Sequence, residues 1–284
     1  MTETNKQELN RAKMETRFHS ELDVFKCTNG IRPGEFSVIV APSGNGKSTL
    51  CKTISIECAN SKKRCYHLLS EEVVDVYKAP IASTITRTQM SPEEQDEILN
   101  YLYFETMLNW KPEEETLEFL FSYLEDIMNE IAPDMIIFDN FTTSFVGELN
   151  IALQGKAIKM FRKFAAAYDI AIVGVFHTTK GSDIYKQILS GEDVRGNSTS
   201  TNAGSYNYIL STYFRADKPR SFILLDKARY HSRFNKSYWE LKFSPVLEIF
   251  TGCERSSYEE IKELVDSINK RKAPPKKEYQ QWSK

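Results

Sequence analysis

The chain has 284 residues, of which 41% are hydrophobic and 27% charged, and its formal net charge is −2. This length and apolar fraction suffice for a substantial buried core in one large domain or two small ones. The near-neutral charge excludes a globally basic nucleic-acid coat but is compatible with a local basic surface. Five cysteines without a C-x-x-C pair argue against a disulfide framework or a zinc site and are typical of a reducing cytosol.

The amino-terminal segment is polar. Residues 5–20 are charged and helix-prone with little apolar face, which predicts a solvated helix or an arm that packs on a neighbouring subunit. We therefore assign residues 1–24 to an N-terminal helical arm. The segment lacks the apolar centre of a signal peptide, and no apolar run in the chain reaches about 18 residues. We expect a soluble, cytoplasmic protein without a membrane span.

The first predicted strand leads into a glycine-containing loop and a helix. The apolar run FSVIVA from Phe36 predicts a buried strand, and KSTLCKTISIECANS has apolar residues at helical spacing. Consecutive backbone N–H groups in the intervening loop can form an anion nest, to which the helix adds its positive N-terminal end. The candidate nucleotide-binding residues are Ala41, Ser43, Gly44, Asn45, Gly46, Lys47, Ser48 and Thr49.

Individual residues of this loop have distinct expected roles. Gly44 and Gly46 let the backbone curl around phosphates without a Cβ in the way. The Lys47 ammonium reaches the β- and γ-phosphates, and the Ser48 hydroxyl ligates Mg²⁺. Ala41 stands where the usual pattern has glycine, and at the loop entrance its small size is sufficient. The loop predicts ATP and Mg²⁺ as cofactors, with a purely structural glycine loop as the alternative.

Two glutamates follow the second predicted strand, RCYHLLS. A carboxylate beside a γ-phosphate can orient and polarise the attacking water. Glu71 is the first choice for this role and Glu72 the second. The alternative is a pair of surface charges at a strand end.

The next stretch, residues 91–131, predicts helix throughout. Ser91 and Glu94 form a capping-box pattern with proline at the first helical position, and a second helix is expected after Pro112. We interpret the aromatic residues of this stretch as core rather than as a platform for stacking bases.

Polar residues end the later strands. Asp139 closes DMIIFD, where a carboxylate can hold the water shell of a metal ion, although it could also cap a helix. His177 ends AIVGVFH, and a helix over about residues 153–168 lies between the two strands. SFILLDKARY and YWELKFS predict late strands. Lys227 and Arg229 alternate onto one side and suggest a cationic clamp for a γ-phosphate, in cis or from the next subunit, or simply a solvated sheet edge.

Strands that alternate with helices, with polar residues at the strand ends, predict an α/β domain. We expect a mainly parallel twisted sheet flanked by helices, with the site at the carboxyl ends of the strands. A proline- and lysine-rich tail follows the domain. We assign a C-terminal helix to residues 253–269 and a disordered basic tail to residues 270–284.

With these residues in place, residues 25–252 resemble the RecA-like ATPase domain of ring-shaped replicative helicases. The segments that carry the resemblance are GIRPGEFSVIVAPSGNGKSTL, HLLSEEV, PDMIIFDNFTTS, AIVGVFHTTKG, EDVRGNSTSTNAGSYNYIL and LLDKARYH. Relatives of this kind are the helicase halves of phage primase–helicases and Twinkle, DnaB helicases and small plasmid RepA-type helicases. The doubled glutamate, the strand-end histidine, DVRG and the K-x-R pair are the more specific features.

The resemblance implies a RecA-like P-loop NTPase fold and assigns roles. It places Lys47 and Ser48 at phosphate and Mg²⁺, and Asp139 at the metal. It makes Glu71 the catalytic base and His177 the sensor that couples the γ-phosphate to DNA. Lys227 and Arg229 correspond to a pair delivered in trans to the ATP of a neighbour, which implies a homo-oligomer, a hexameric ring.

The resemblance also identifies HTTKGSDIYKQILSGEDVRGN as the DNA loop of a central channel. Lys180 and Lys186 are candidates for contacts to strand phosphates, and Arg195 contacts single-stranded DNA or holds the loop. An ordinary mobile basic loop is the alternative. No primase or zinc-binding segment precedes the ATPase, so we expect no priming by this chain.

The sequence therefore predicts an ATP-driven 5′→3′ DNA helicase that acts in DNA replication, with the polarity taken from the resemblance alone. One alternative is a RecA/KaiC-like recombinase or regulatory ATPase that binds DNA without unwinding it. Another is a helicase loader or accessory ATPase. A primase or polymerase is the expected partner besides DNA, and a phage- or plasmid-encoded protein in a bacterial host fits this interpretation.

Overall fold

The computed structural model describes residues 20–28, 30–178, 187–190, 204–215 and 218–272. Residues 1–19 of the predicted arm and 273–284 of the predicted tail lie outside this part of the chain. The candidate DNA-contacting residues Lys180, Lys186 and Arg195 also lie outside it. Within the described residues, no helix combines the length and apolar character needed to cross a membrane.

One mixed sheet forms the centre of the fold. Its strands are β1 (Phe36–Ala41), β2 (Cys65–Leu69), β3 (Leu102–Thr106), β4 (Met135–Asp139), β5 (Ala171–His177), β6 (Tyr206–Arg215), β7 (Lys218–Ala228), β8 (Ser237–Ser244) and β9 (Ile249–Ser256). They lie in the order β3-β2-β4-β5-β1-β6-β7-β8-β9. Every pairing from β3 to β6 is parallel, and every pairing from β6 to β9 is antiparallel. The predicted α/β class with a mostly parallel sheet is confirmed.

Helices cover both faces of this sheet. They are α1 (Asp23–Lys26), α2 (Lys47–Asn60), α3 (Val74–Thr86), α4 (Pro92–Leu99), α5 (Leu117–Glu130), α6 (Phe145–Glu148), α7 (Ile151–Tyr168) and α8 (Tyr258–Lys272). Short 3₁₀ turns occupy Met107–Asn109, Pro112–Glu114 and Ser232–Phe234. The predicted strand and helix on either side of the glycine loop are therefore both present.

Burial on both faces explains why β1 reads as a continuous apolar run. Ile39 packs in one apolar cluster with Leu50 of α2, whereas Val38 and Val40 pack in a second cluster with Phe161 of α7. All six residues of β1 are buried. A central parallel strand that is covered on both faces has no solvent side, so it needs no alternation of polar residues.

The prediction that residues 91–131 are helical throughout is wrong. The capping box at Ser91 does begin α4, but β3 follows it and pairs in parallel with β2 at the edge of the sheet. The aromatic and threonine residues of LYFET favour a strand, and this preference is realised because β2 offers an open edge. Pro112 begins a 3₁₀ turn, and α5 starts only at Leu117, with Thr116 as its cap.

Candidate nucleotide site

The glycine loop spans residues 42–46 between β1 and α2. Gly44 and Gly46 have φ angles of 74° and 85°, in the left-handed region that residues with a Cβ rarely adopt. A Cβ at Gly46 would also lie 3.4 Å from the Phe250 ring. Ala41 is the last residue of β1, so its extended backbone accepts a side chain without strain.

Lys47 is folded back onto the loop. Its Nζ atom lies 3.1 Å from the carbonyl oxygen of Ala41, 2.9 Å from that of Pro42 and 3.1 Å from Nδ1 of His177. An ammonium group has three hydrogens, so these partners account for all of its donors. Burial lowers the pKa of Lys47, and the negative charges of Asp139 and Glu71 act in the opposite direction.

Neighbouring strands bring the predicted acids and the histidine to the same edge as the loop. Asp139 ends β4 and pairs with Leu69 at the end of β2, while His177 ends β5 and pairs with Ala41 of β1. Glu71 follows β2, and its Oε1 atom lies 3.6 Å from Nε2 of His177. The structure therefore gathers Lys47, Asp139, Glu71 and His177 in one place.

The electrostatics distinguish the two glutamates and Asp139. Burial raises the pKa of Asp139 to about 6, and the positive charge of Lys47 reduces this shift. The negative charge of Glu71 raises the pKa of both Lys47 and Asp139. The negative charge of Glu72 raises the pKa of Asp139 and that of Lys52 in α2. The backbone carbonyl of Glu72 also accepts a hydrogen bond from the Thr106 hydroxyl.

Two residues of this site were not predicted from the sequence. The side-chain nitrogen of Asn140 lies 3.1 Å from Nε2 of His177, and the Tyr77 hydroxyl donates to Oδ2 of Asp139 at 3.3 Å. Asn140 directly follows Asp139, so its place at the strand end is a signal that the sequence contains. Tyr77 comes from α3, and nothing in its local sequence indicates the contact.

The protein groups available to a metal ion fit magnesium bound together with a nucleotide. Ser48 lies in the first turn of α2, and Asp139 is a carboxylate at the same edge of the sheet. The described part of the chain contains no group of three or more His, Cys, Asp or Glu side chains suited to a metal. Magnesium in nucleotide sites needs only one or two protein ligands because phosphates and waters complete its octahedron.

Lys227 and Arg229 lie at the opposite end of the strands from the loop, where β1 and β6 begin. β7 runs antiparallel to β6, so its last residues pair with the first residues of β6, and Lys227 faces Asn207. The Arg229 N–H donates to the carbonyl of Ser205, whose own N–H donates to Phe36 at the start of β1. The length of β1, roughly 20 Å, separates this end from the loop. The pair therefore lies far from the loop of its own copy.

A third cation, Arg162 of α7, lies near this pair. Burial lowers the pKa of Lys227, and the positive charges of Arg229 and then Arg162 lower it further. We use the name cationic cluster for Lys227, Arg229 and Arg162. The sequence does not link Arg162 to the other two, because it lies on a helix more than sixty residues earlier.

The fold and the site together define a P-loop NTPase. A buried strand leads into a loop with two left-handed glycines, a helix begins at lysine directly after it, and an acid and a histidine end the neighbouring strands. Residues 23–183, more than half of the chain, match the AAA domain family, and the chain belongs to this family. It is a family of P-loop NTPases that includes RecA-like, helicase-type ATPases.

Membership of the family supports nucleotide binding and an ATPase of the P-loop class. The matched residues include the loop, Glu71, Asp139 and His177, and they end before β6, so Lys227 and Arg229 lie beyond them. A comparison with the curated proteins found no match.

Proposed function

We propose that this chain is the ATPase motor of a ring-shaped DNA helicase, which translocates on single-stranded DNA during replication. ATP is hydrolysed at the contacts between adjacent copies. Family membership supports the ATPase, and the helicase specifics rest on the sequence resemblance together with the geometry of the sheet.

One observation carries the proposal: the loop and the K-x-R pair lie at opposite ends of the strands in the same sheet. A single copy cannot bring its Arg229 to its own Lys47 without rebuilding the sheet. A head-to-tail contact between copies would place the cationic cluster of one copy at the loop of the next. Such heterologous contacts close into a ring when the rotation permits it, and the resemblance implies six copies.

The gathered side chains have a consistent division of work in this proposal. Lys47 and Ser48 hold the phosphates and Mg²⁺, and Asp139 holds the water shell of the metal. Glu71 orients the attacking water, since its carboxylate is half exposed and lies beside His177. His177 detects the γ-phosphate. Glu72 is the second choice as base because its backbone carbonyl is bonded to Thr106 of β3 and its charge acts on Lys52.

The proposed DNA contacts follow the sensor directly along the chain. Lys180 and Lys186 come within ten residues of His177, and Arg195 precedes β6. A few cations in a confined channel can follow a phosphate backbone without reading its sequence. A movement of His177 on contact with the γ-phosphate would therefore be transmitted along the backbone to the proposed DNA-contacting residues. A primase or a polymerase remains the proposed protein partner.

Unwinding of a forked DNA duplex with a free 5′ tail tests this function. The wild type should separate the strands in an ATP-dependent manner, and the Lys47→Ala variant should not. A variant with both Lys180→Ala and Lys186→Ala should keep its basal hydrolysis and lose stimulation by DNA. Hydrolysis that DNA stimulates without any strand separation would contradict the helicase and favour a recombinase or regulatory ATPase.

A further inference from the structure

The side chain of Asn45 joins the phosphate loop to strand β6. Its Oδ1 atom accepts a hydrogen bond from the backbone N–H of Thr212 at 2.7 Å, and its Nδ2 atom donates to the carbonyl of Ser43 at 3.2 Å. Both Asn45 and Thr212 are buried. Reversal of the amide would set donor against donor and acceptor against acceptor, so these two partners fix its orientation.

This contact supplies a hydrogen bond to β6 beyond the point where its pairing with β1 ends. β1 and β6 pair in parallel from Ser37 and Tyr206 up to Val40 and Ile209. β1 ends at Ala41, whereas β6 continues to Arg215, paired with β7. Thr212 lies beyond the last pairing, and its buried N–H would lack an acceptor from β1. The amide oxygen of Asn45 takes the place of the missing backbone carbonyl.

A second, weaker link runs through the hydroxyl of Thr212. Its Oγ1 atom donates to the backbone carbonyl of Asn45 at 3.4 Å and lies 2.9 Å from Oγ of Ser221 on β7. Since Thr212 Oγ1 has one hydrogen, donation to Asn45 leaves Ser221 as the donor in the other bond. The loop is thus attached to two adjacent strands through one residue.

We infer that Asn45 is a positioning residue that docks the phosphate loop on β6 and holds it ready for a nucleotide. The two left-handed glycines beside it make the loop backbone adaptable, so a fixed attachment lowers the ordering cost of binding. The diphosphate is common to ADP and ATP, and a preformed loop helps both equally. The inference rests on nucleotide binding by this loop and does not depend on the proposed DNA motor.

The test measures nucleotide affinity and turnover separately. Asn45→Ala should raise the Kd for ADP and for a non-hydrolysable ATP analogue by a similar factor, about tenfold. The reason is that the buried N–H of Thr212 loses its acceptor and the loop is released from β6. The kcat at saturating ATP should fall by a smaller factor than the Kd rises, as expected when mainly uniform binding is lost. Hydrogen exchange at the loop amides should become faster in the same variant.

Thr212→Val provides a milder variant that keeps the strand intact. It removes only the hydroxyl link and should weaken the Kd for ADP by about two- to threefold. Its effect should be smaller in the Asn45→Ala background, since the loop is then already released. Thr28→Val is the matched control: Thr28 is buried, and its hydroxyl donates to the carbonyl of Phe25 and lies 3.5 Å from the hydroxyl of Tyr208 on β6.

An unchanged Kd for ADP in folded Asn45→Ala would overturn the inference. If that variant does not fold, an unchanged Kd in Thr212→Val would overturn it instead. An equal loss in Thr28→Val would also do so, because any disturbance of β6 would then suffice. The Kd for ADP requires neither DNA nor hydrolysis, so the inference and the proposed motor can fail independently.

Discussion

The Nζ atom of Lys47 lies 3.1 Å from Nδ1 of His177. An ammonium group can only donate, so Nδ1 is the acceptor nitrogen, and a neutral imidazole carries its hydrogen on Nε2. The Nε2 atom lies 3.6 Å from Oε1 of Glu71. The loop lysine and the candidate sensor are therefore directly joined, and a lysine that moves to a phosphate must break this bond.

Asn140 makes the imidazole responsive to that movement. Its Oδ1 atom accepts hydrogen bonds from the backbone N–H and the hydroxyl of Thr143, which leaves its amide nitrogen facing Nε2 of His177. Both ring nitrogens thus face donors, and a neutral ring can accept at only one of them. When Lys47 leaves, Nδ1 can carry the hydrogen, and Nε2 can accept from Asn140.

The first prediction concerns nucleotide affinity in His177→Ala. Removal of the imidazole frees one of the three donors of Lys47, so the variant should bind ADP about two- to fivefold more tightly than the wild type. Hydrolysis of ATP should fall in the same variant because the sensor is lost. Isothermal titration calorimetry measures the Kd, and His231→Ala, at the opposite edge of the sheet, serves as the control. Weaker ADP binding would contradict the role of the Lys47–His177 contact.

A second prediction links Tyr77 to the pH dependence of hydrolysis. Burial raises the pKa of Asp139 to about 6, and the hydrogen bond from Tyr77 lowers it. The ionised carboxylate is the form that serves Mg²⁺, so kcat/KM should decline as the pH falls through about 6. Tyr77→Phe should move this decline to higher pH by about half a unit. Tyr66→Phe, whose hydroxyl contacts Tyr123 instead, should leave it in place.

Glu57 provides a prediction about stability. Burial raises its pKa from 4.5 to about 7, although Ser20 and the backbone N–H of Glu21 donate hydrogen bonds to it. A raised carboxyl pKa stabilises the fold when the group is protonated, and this contribution is lost as the pH rises through about 7. Glu57→Gln should therefore increase the free energy of unfolding by about 1–3 kcal/mol at pH 8 and change it little at pH 5.

Urea unfolding at the two pH values measures this difference. Glu97→Gln is the control, since the Glu97 side chain is 49% exposed and pairs with Lys62 at the surface. It should change the stability by less than about 1 kcal/mol at either pH. An equal gain for Glu57→Gln at pH 5 and pH 8 would rule out the titration of Glu57 as the cause.

The cationic cluster gives a fourth prediction. If Arg162 supports Lys227 and Arg229 at the ATP of a neighbour, Arg162→Ala should lower kcat about tenfold and leave the Kd for ADP unchanged. Arg162→Lys should recover part of the rate because it keeps the charge. Lys163→Ala, an exposed neighbour on α7, is the matched control and should keep full activity. Full activity of Arg162→Ala would exclude Arg162 from the reaction.

The carboxyl ends of the central parallel strands could be predicted from the sequence. Buried parallel strands are continuous apolar runs, so Ala41, Asp139 and His177 stand out as the polar or small residues that terminate them. Parallel neighbours then bring those ends together at one edge. The order and direction of these strands alone therefore bring Asp139 and His177 to the end of β1 where the loop begins.

The antiparallel part of the sheet and the helix contacts were harder to predict. β6 and β9 were not predicted as strands, and β3 was taken for helix. The opposite positions of Lys227 and Lys47 depend on the direction of β7, which runs antiparallel to β6, and on the parallel pairing of β6 with β1, which is distant in the sequence. Asn45 contacts Thr212 and Tyr77 contacts Asp139, and these partners are distant in the sequence. A local sequence pattern does not predict such contacts.

The most direct test of the central claim mixes two inactive variants, Lys47→Ala and Arg229→Ala. Each variant lacks one half of the proposed shared site, and random assembly of equal amounts makes about a quarter of the contacts intact. Single-turnover hydrolysis of ATP should therefore recover to about a quarter of the wild-type amplitude on mixing, although neither variant is active alone. Hydrolysis that stays at the level of the separate variants at every mixing ratio would contradict an ATP site shared between copies.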